Sequence, residues 1–228
     1  MLSIVMPVLN EAVIIEEALA RLALLRARGA EVIVADGGSG DATPRLAAPL
    51  ADKVVAAPKG RARQMNQGAA LAKGEVLLFL HADTALPDGA DRLVAAALAD
   101  PCRLWGRFDV AIAGRHPALG SIAATMNWRS RLTGIATGDQ AIFVRRAAFE
   151  AVGGFPDIPL MEDIAISRAL KRLGRPACLS ARVTTSGRRW EEGGLVRTVL
   201  LMWRLRLAFF LGADPARLAF RYGYRPHD

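Results

Sequence analysis

The chain has 228 residues, of which 52% are hydrophobic, and its formal net charge is +8 at pH 7. This composition excludes an intrinsically disordered chain and predicts one large domain with an appendage at the C-terminal end. The positive charge indicates anionic partners such as phosphates or lipid headgroups, and no motif with interleaved aromatic residues supports nucleic-acid binding.

Three further features of the sequence indicate the cellular compartment of the protein. Cys102 and Cys178 are the only cysteines and are far apart in sequence, which predicts a reducing compartment rather than a disulfide framework. The first seven residues include no basic stretch and form too short an apolar run for a signal peptide. No uncharged apolar run reaches the roughly 18 residues that a membrane span needs. We therefore expect a cytoplasmic protein, with contact at the inner face of the membrane left open.

The first half of the chain alternates between two kinds of segment. Buried strands are predicted at residues 3–7, 31–35, 53–56 and 75–80. Helices are predicted at residues 10–27, 41–51 and 61–73. Strands that alternate with helices imply mainly parallel pairing, so we predict an α/β fold with a mainly parallel central sheet flanked by helices.

The second half is less regular. A strand is predicted at residues 104–112, and it could lie at an edge of the sheet. A short apolar strand is predicted at residues 140–144. An amphipathic helix is predicted at 163–173, and a long apolar helix, interrupted by arginines, at 195–211. We expect residues 1–194 to form the main domain and residues 195–228 a helical extension.

Polar side chains follow three of the predicted strands. Asn10 and Glu11 follow the first, Asp36 ends the second, and His81 and Asp83 follow the fourth. Ligands of open parallel sheets bind outside the carboxyl ends of the strands, so these side chains predict a binding site. Each cluster also has a structural interpretation: Asn10 or Asp83 could cap a helix, and Asp36 could belong only to a glycine-rich turn.

Five segments in chain order carry a family resemblance. They are SIVMPVLNE at 3–11, ADGGSGDAT at 35–43, LFLHADT at 78–84, LMED at 160–163 and RRW at 188–190. Together they resemble the motifs of the family 2 glycosyltransferases, which have the GT-A nucleotide-sugar-binding fold. The resemblance implies a single GT-A domain and a nucleotide-sugar donor.

The first two motifs concern the donor. The resemblance places Pro7, Asn10 and Glu11 in the first strand and its turn, among the donor-binding residues. It implies that Asp36 binds the nucleotide base or ribose.

The third and fourth motifs concern the metal and the chemistry. The resemblance implies that Asp83 ligates Mg²⁺ or Mn²⁺, with His81 at the position of the usual first aspartate. It also implies that Asp163 is the general base and that Glu162 orients the site. A hard divalent cation prefers carboxylate and phosphate oxygens and neutralises a leaving diphosphate, which agrees with this assignment.

Other candidate residues lie around these motifs. Arg189 and Trp190 match the Arg-Trp end of the motif of processive members, but Ser186 replaces its glutamine, which argues against processive synthesis. Arg61 is a candidate for base or phosphate contact or a solvated helix charge. Asp139 is a candidate sugar-hydroxyl ligand or a turn residue.

The function predicted from sequence is an inverting, metal-assisted transfer of a sugar to an acceptor hydroxyl. Two alternatives are a sugar nucleotidyltransferase, which would need a glycine-rich basic loop after the first strand, and a noncatalytic nucleotide-sugar-binding protein. The acceptor is left open among a lipid or lipid-linked molecule, a saccharide and a small metabolite. The helix at 195–211 is expected either to dock on a membrane surface or to pack against the main domain.

Overall fold

The computed structural model describes residues 1–223, except for the side chains of Arg189 and Glu192. In this range, one eight-stranded sheet has the order β3-β2-β1-β4-β7-β6-β8-β5. The strands are β1 Leu2–Val8, β2 Glu31–Asp36, β3 Lys53–Ala56, β4 Val76–Phe79, β5 Thr84–Ala85, β6 Trp105–Ala113, β7 Phe143–Arg145 and β8 Ala177–Ser186.

Helices follow most of these strands. They are α1 Ile15–Ala20, α2 Ala23–Ala27, α3 Thr43–Ala47, α4 Arg61–Leu71, α5 Ala90–Ala97, α6 Leu119–Thr133, α7 Arg146–Ala151, α8 Glu162–Leu173, α9 Arg188–Gly193, α10 Leu195–Phe210 and α11 Pro215–Tyr222. A 3₁₀ turn at Gly138–Gln140 precedes β7. The predicted α/β architecture is therefore confirmed.

Strand β1 lies at the centre of the parallel part of the sheet. It pairs in parallel with β2 on one side and with β4 on the other, and β2 pairs in parallel with β3. The chain thus reverses its direction of winding between β1 and β4, which is the switch point where ligands of open α/β sheets bind. Beyond β4 the sheet becomes mixed, since β7 runs antiparallel to both β4 and β6, while β8 returns parallel to β6.

The sheet is covered on both faces because alternate residues of its strands point to opposite sides. On one face, Ile4 and Met6 of β1 pack into a cluster with residues of α1, α2, α5 and α6. On the other face, Val5 packs into a cluster with residues of α4, α7 and α8. Helix α4 approaches very closely, since a Cβ at Gly68 would lie 2.4 Å from Cγ1 of Val5.

Several sequence predictions need correction. Residues 104–112 do not form an edge strand, because β6 lies between β7 and β8. The helix predicted at 10–27 is two short helices that begin at Ile15, and Asn10 is no helix cap, because its φ of 55° belongs to a turn. The strand β8 and the helices α5, α6, α7 and α11 were not anticipated.

The C-terminal helices pack against the rest of the protein. Leu205 of α10 and Leu218 of α11 share a buried cluster with Ile135, Met161 and Ile164. This packing holds α10 beside the N-terminal end of α8. Within residues 1–223, no helix is both long and apolar enough to cross a membrane.

Candidate active site

Two loops that follow β1 and β2 are tied together. The Asn10 N–H donates to Oγ of Ser39 (2.8 Å), and the Gly40 N–H donates to Oδ1 of Asn10 (2.9 Å). The Glu11 N–H donates to Oγ1 of Thr43 (2.8 Å). Polar side chains thus satisfy the backbone groups of both loops, and Glu11 is fixed at the carboxyl end of β1.

Asp36 lies in the second of these loops. Its Oδ2 accepts the N–H groups of Gly38 (3.1 Å) and Ser39 (3.0 Å), and its Oδ1 accepts the Ser39 hydroxyl (2.5 Å). Gly38 has a φ of 89°, a conformation that favours glycine. The carboxylate of Asp36 therefore stabilises the turn that follows β2, as the structural interpretation of the sequence anticipated.

A cavity of about 540 Å³ lies where β4 and β8 end. Its floor and one wall come from the loop after β4, the 3₁₀ turn and the start of α8, and its other wall comes from the C-terminal helices. The lining includes Arg61, His81, Asp83, Asp139, Glu162, Asp163, Ser186, Arg188, Trp190, Met202, Arg206 and Tyr222.

Asp163, in the first turn of α8, is held in a fixed orientation. Its Oδ2 accepts the backbone N–H of Gly138 (2.9 Å), and its Oδ1 accepts that of Ile164 (2.7 Å). Two backbone donors restrict the rotation of the carboxylate. The carboxylate lines the cavity, so it is a pre-oriented acceptor for a proton of a bound molecule.

Glu162 lies beside Asp163 and is 5% exposed. The pKa of its carboxyl is raised to about 7, chiefly by burial and then by the negative charge of Asp163, whereas Arg61 and His81 act in the opposite direction. Glu162 is thus partly protonated near neutral pH.

His81 packs against the 3₁₀ turn. A Cβ at Gly138 would lie 2.5 Å from Cε1 of His81, so only glycine leaves room for the ring. The Nδ1 of His81 is 3.7 Å from Oδ1 of Asp139, an ion pair when the imidazole is protonated. One nitrogen of the ring therefore faces a carboxylate within the protein.

A second group of charges lies nearer to β1. The pKa of Glu11 is raised first by burial and then by Asp83, and it is lowered by Arg188 and Arg61. These effects place two carboxylates and two guanidinium groups close to one another. The repulsion between Glu11 and Asp83 is the kind that a bound cation relieves, and the two arginines suit an anion.

Backbone strain concentrates around the same loops. In the described chain, the non-glycine residues with positive φ are Asn10 (55°), Ala141 (46°) and Met161 (70°). Asn10 is a candidate site residue, Ala141 follows the 3₁₀ turn and Met161 directly precedes Glu162. Residues in such conformations cluster at functional sites, which supports this cavity as the active site.

The cavity brings together most, but not all, of the candidate site residues. Arg61, His81, Asp83, Asp139, Glu162, Asp163 and Trp190 line it. Pro7, Asn10, Glu11 and Asp36 lie outside its lining, although Glu11 is electrostatically coupled to Asp83. The side chain of Arg189 lies outside the described residues.

Sequence reasoning missed a further set of lining residues. Arg188 was noted only as part of a motif, and Arg206, Met202 and Tyr222 were not connected with the site. Position in the motif could have identified Arg188. The others depend on how α10 and α11 fold back onto α8, for which the sequence carries no local signal.

Among the described residues, no group of three or more His, Cys, Asp or Glu side chains could hold a metal ion alone. A magnesium-like ion usually takes only one or two protein carboxylates and completes its shell with water and substrate phosphates. Asp83, exposed and close to Glu11, fits that requirement. The donor set is therefore compatible with a cation shared with a bound diphosphate.

Comparison with known proteins gives a family match. The family model described as glycosyl transferase family 2 matches residues 3–152. A comparison with curated protein sequences finds no match.

Solved structures match a larger part of the chain than the family model does. S. aureus TarS 1-349 in complex with UDP-GlcNAc has a TM-score of 0.66 at 19% identity, over 81% of this chain and 58% of that one. The mannosyltransferase PcManGT from Pyrobaculum calidifontis, in complex with GDP-Man and Mn²⁺, has a TM-score of 0.61 at 23% identity, over 91% and 60%. This chain thus spans less than two thirds of the length of either protein.

A third relative is matched over more of its length. Glucosyl-3-phosphoglycerate synthase from Mycobacterium tuberculosis, in complex with Mn²⁺, UDP and phosphoglyceric acid, has a TM-score of 0.63 at 19% identity. The match covers 94% of this chain and 79% of that one. At these identities the three structures establish a shared fold.

Proposed function

Because the chain belongs to glycosyl transferase family 2, we propose that it transfers a sugar from a nucleoside-diphosphate sugar to an acceptor hydroxyl, with inversion at the anomeric carbon. The observation that carries this proposal is the single cavity lined by Asp83, Glu162, Asp163 and two arginines, Arg61 and Arg188. It combines carboxylates for a cation and a proton with positive charge for a diphosphate.

Asp163 is the general base of the proposed reaction. Its carboxylate accepts the proton of the acceptor hydroxyl while the hydroxyl oxygen forms a bond to the anomeric carbon. The bond from the anomeric carbon to the diphosphate oxygen breaks in the same displacement, and the nucleoside diphosphate leaves with the electron pair. The two backbone N–H groups that hold Asp163 support this role, because they fix the carboxylate before the acceptor binds.

Glu162 has a supporting role. With its pKa raised to about 7 by burial and by Asp163, it is largely neutral in slightly acidic solution. A neutral neighbour adds no second negative charge beside Asp163, the proposed base.

Asp83 would hold a divalent ion, Mg²⁺ or Mn²⁺, together with the diphosphate of the donor. When bound, the ion supplies Lewis-acid neutralisation of the negative charge that develops on the leaving diphosphate. Arg61 and Arg188 would contact the same phosphates, since both act electrostatically on Glu11 beside Asp83. His81 would support this loop through Asp139 and add a weaker interaction with the ion or nucleotide.

A panel of nucleotide sugars tests the proposal. We expect one donor to raise the melting temperature of the full chain more with Mn²⁺ than without it, because ligands that bind the folded state stabilise it. For an acceptor that is then glycosylated, proton NMR should show the anomeric configuration opposite to that of the donor. No stabilisation by any donor would contradict both the proposal and the noncatalytic nucleotide-sugar-binding alternative, and retention would exclude single displacement.

The outward face of α10 supports a further proposal about location. Six large apolar residues at three- and four-residue spacing share this face, and each is at least 54% exposed: Val196, Leu200, Trp203, Leu207, Phe210 and Leu211. Arg197 and Arg204 flank this stripe and are exposed as well. An exposed apolar stripe beside cations is typical of helices that lie on anionic membranes.

We propose that this face docks on an anionic membrane surface while the opposite face of α10 packs on the protein. The doubly substituted variant Leu200→Ser, Trp203→Ser should pellet less with anionic vesicles at low salt than the wild type. Vesicles of neutral lipid are the control, since they lack the headgroup charge. If the wild-type protein does not pellet with anionic vesicles at low salt, the docking proposal is wrong.

A further inference from the structure

Two neighbouring arginines lie near Asp163, and one of them lines the cavity on the side that α10 closes. Arg206, on α10, lines the cavity together with Met202 and Asp163. Arg129, on α6, is close enough to interact with both charged groups: burial and then the charge of Arg206 lower its pKa to about 10, and Asp163 partly offsets this. Two like charges are therefore held near each other beside the proposed base.

Neither guanidinium group has a partner in the described chain. The Nε and one Nη of Arg129 are buried without a hydrogen bond, and Arg206 has no ion pair or hydrogen bond within residues 1–223. Asp163 does not compensate them by hydrogen bonds, because its oxygens accept backbone N–H groups. A buried, unpaired charge is unfavourable, and native proteins rarely keep one without a use for it.

Two neighbouring arginines, by contrast, form ion pairs with a carboxylate. Arg107, which is fully buried, pairs with Asp109, and Arg131 pairs with the other oxygen of the same carboxylate (2.8 Å). Arg129 lies two residues from Arg131 on α6 and has no such carboxylate. Arg129 and Arg206 therefore differ from these two arginines in having no carboxylate partner among the described residues.

This pair is distinct from the arginines beside Asp83. The charges that act on Arg129 are those of Arg206, Asp163 and Arg107. Those that act on Glu11 are Asp83, Arg188, Arg61 and Asp41. One cationic group thus lies near Asp83, the carboxylate proposed for the cation and diphosphate, and another lies near Asp163.

We propose that the acceptor carries an anionic group, a phosphate or a carboxylate, which Arg206 binds and Arg129 attracts, so that the acceptor hydroxyl reaches Asp163. This inference rests on the proposed glycosyltransferase function and specifies the chemical class of its acceptor. Leu160, Ile164 and Met202 line the same part of the cavity and would contact the body of the acceptor. The anion would neutralise two charges that are uncompensated without it.

Inorganic phosphate is the probe for this site. Isothermal titration of the full chain, with UDP or GDP and Mn²⁺ present to fill the donor side, should detect phosphate binding. Arg206→Gln should weaken this binding at least tenfold, because it removes the contacting charge. Arg204→Gln is the matched control, since Arg204 lies on the exposed face of the same helix, and it should bind phosphate as the wild type does.

Arg129 allows a test that does not depend on an acceptor. Arg129→Met removes a buried charge without a partner, so the unliganded variant should melt at a higher temperature than the wild type, while phosphate should stabilise it less. A lower melting temperature with unchanged phosphate binding would mean that Arg129 only stabilises the fold and would overturn its part of the proposal.

Two competitors distinguish the sources of the anion. Glycerol 3-phosphate that displaces inorganic phosphate indicates a soluble acceptor, and phosphatidylglycerol in mixed micelles that displaces it indicates a lipid acceptor; either supports the proposal. Phosphate binding that survives Arg206→Gln, or that UDP and GDP abolish, overturns it. Failure of the glycosyltransferase proposal can be distinguished from failure of this one, because nucleotide-sugar binding is measured in a separate experiment without phosphate.

Discussion

Asp163 is the residue on which the proposed chemistry depends most. Its carboxylate has two backbone donors and no side-chain donor among the described residues, so the protein orients it without neutralising it. Asp163→Asn keeps the shape but removes the basic oxygen. We expect turnover to fall by about 10²–10⁴-fold, the usual contribution of general base catalysis, with donor affinity nearly unchanged.

The control for this variant is Asp157→Asn, which alters an exposed ion pair with Arg63 in the loop before α8. It should leave turnover within a few-fold of the wild type. Steady-state kinetics of both purified variants checks the prediction. Turnover that persists in Asp163→Asn would assign the base to another group, and Glu162 would be the first to test.

Glu162 gives a prediction about pH. Its pKa is raised by burial to about 7, so between about pH 4.5 and pH 7 the folded state holds a proton that the unfolded state has lost. The free energy of unfolding should therefore fall as pH rises through this window, by on the order of 3 kcal/mol from this group alone. Glu162→Gln should remove this loss and be more stable than the wild type at pH 8.

Urea unfolding at pH 5 and pH 8 measures this effect. Glu16→Gln, at an exposed position of α1, is the control and should leave the pH dependence as it is. A Glu162→Gln variant with the same stability change between the two pH values as the wild type would contradict the raised pKa.

At the scale of the elements, the packing of α4 on β1 is a sharp test of the fold. A Cβ at Gly68 would lie 2.4 Å from Cγ1 of Val5, whereas a Cβ at Gly120, in α6, would meet no atom within 4 Å. Gly68→Ala should therefore destabilise the protein by about 1–3 kcal/mol through overpacking. Gly120→Ala should stabilise it by up to about 1 kcal/mol, because alanine favours the helix. Chemical denaturation that gives both variants the same sign would contradict the packing of α4.

The parallel strands were predictable because they are nearly continuous apolar runs. All six residues of β2 are buried, for example, and its pattern in the sequence is unambiguous. The position of β6 was predicted wrongly, since Arg107 and Asp109 suggest an exposed edge strand. In the fold they pair with each other, and Arg131 pairs with Asp109, which lets both charges occupy the interior of the sheet. Strand β8 was missed because only two of its ten residues, Val183 and Thr185, are buried, which leaves a weak apolar pattern.

The site was predictable to the extent that it follows the strands. His81 and Asp83 directly follow a buried strand, and Glu162 and Asp163 open an amphipathic helix, so a local pattern marks each pair. No local sequence pattern identifies Arg206 or Arg129 as a site residue. Their relation to Asp163 arises only when α10 packs its buried face, through Leu205, against Ile164.

For the whole molecule, the family assignment and the α/β fold predicted from sequence are confirmed. The C-terminal helices are more than an appendage to that fold, since Met202, Arg206 and Tyr222 close one side of the cavity. Helix α10 thus connects two proposals, because Met202 and Arg206 contribute to the cavity while an adjacent face of the helix is exposed and apolar. An acceptor at a membrane surface would reach the cavity beside this helix.

The central claim is that the cavity binds a nucleotide sugar through a divalent ion at Asp83. Isothermal titration of the donor identified in the panel, with and without Mn²⁺, tests it most directly on the wild type, Asp83→Ala, His81→Ala and Asp163→Asn. We expect Mn²⁺-dependent binding that is lost in Asp83→Ala, weakened less in His81→Ala and retained in Asp163→Asn. Mn²⁺-dependent binding that is unchanged in Asp83→Ala would contradict this account of the site.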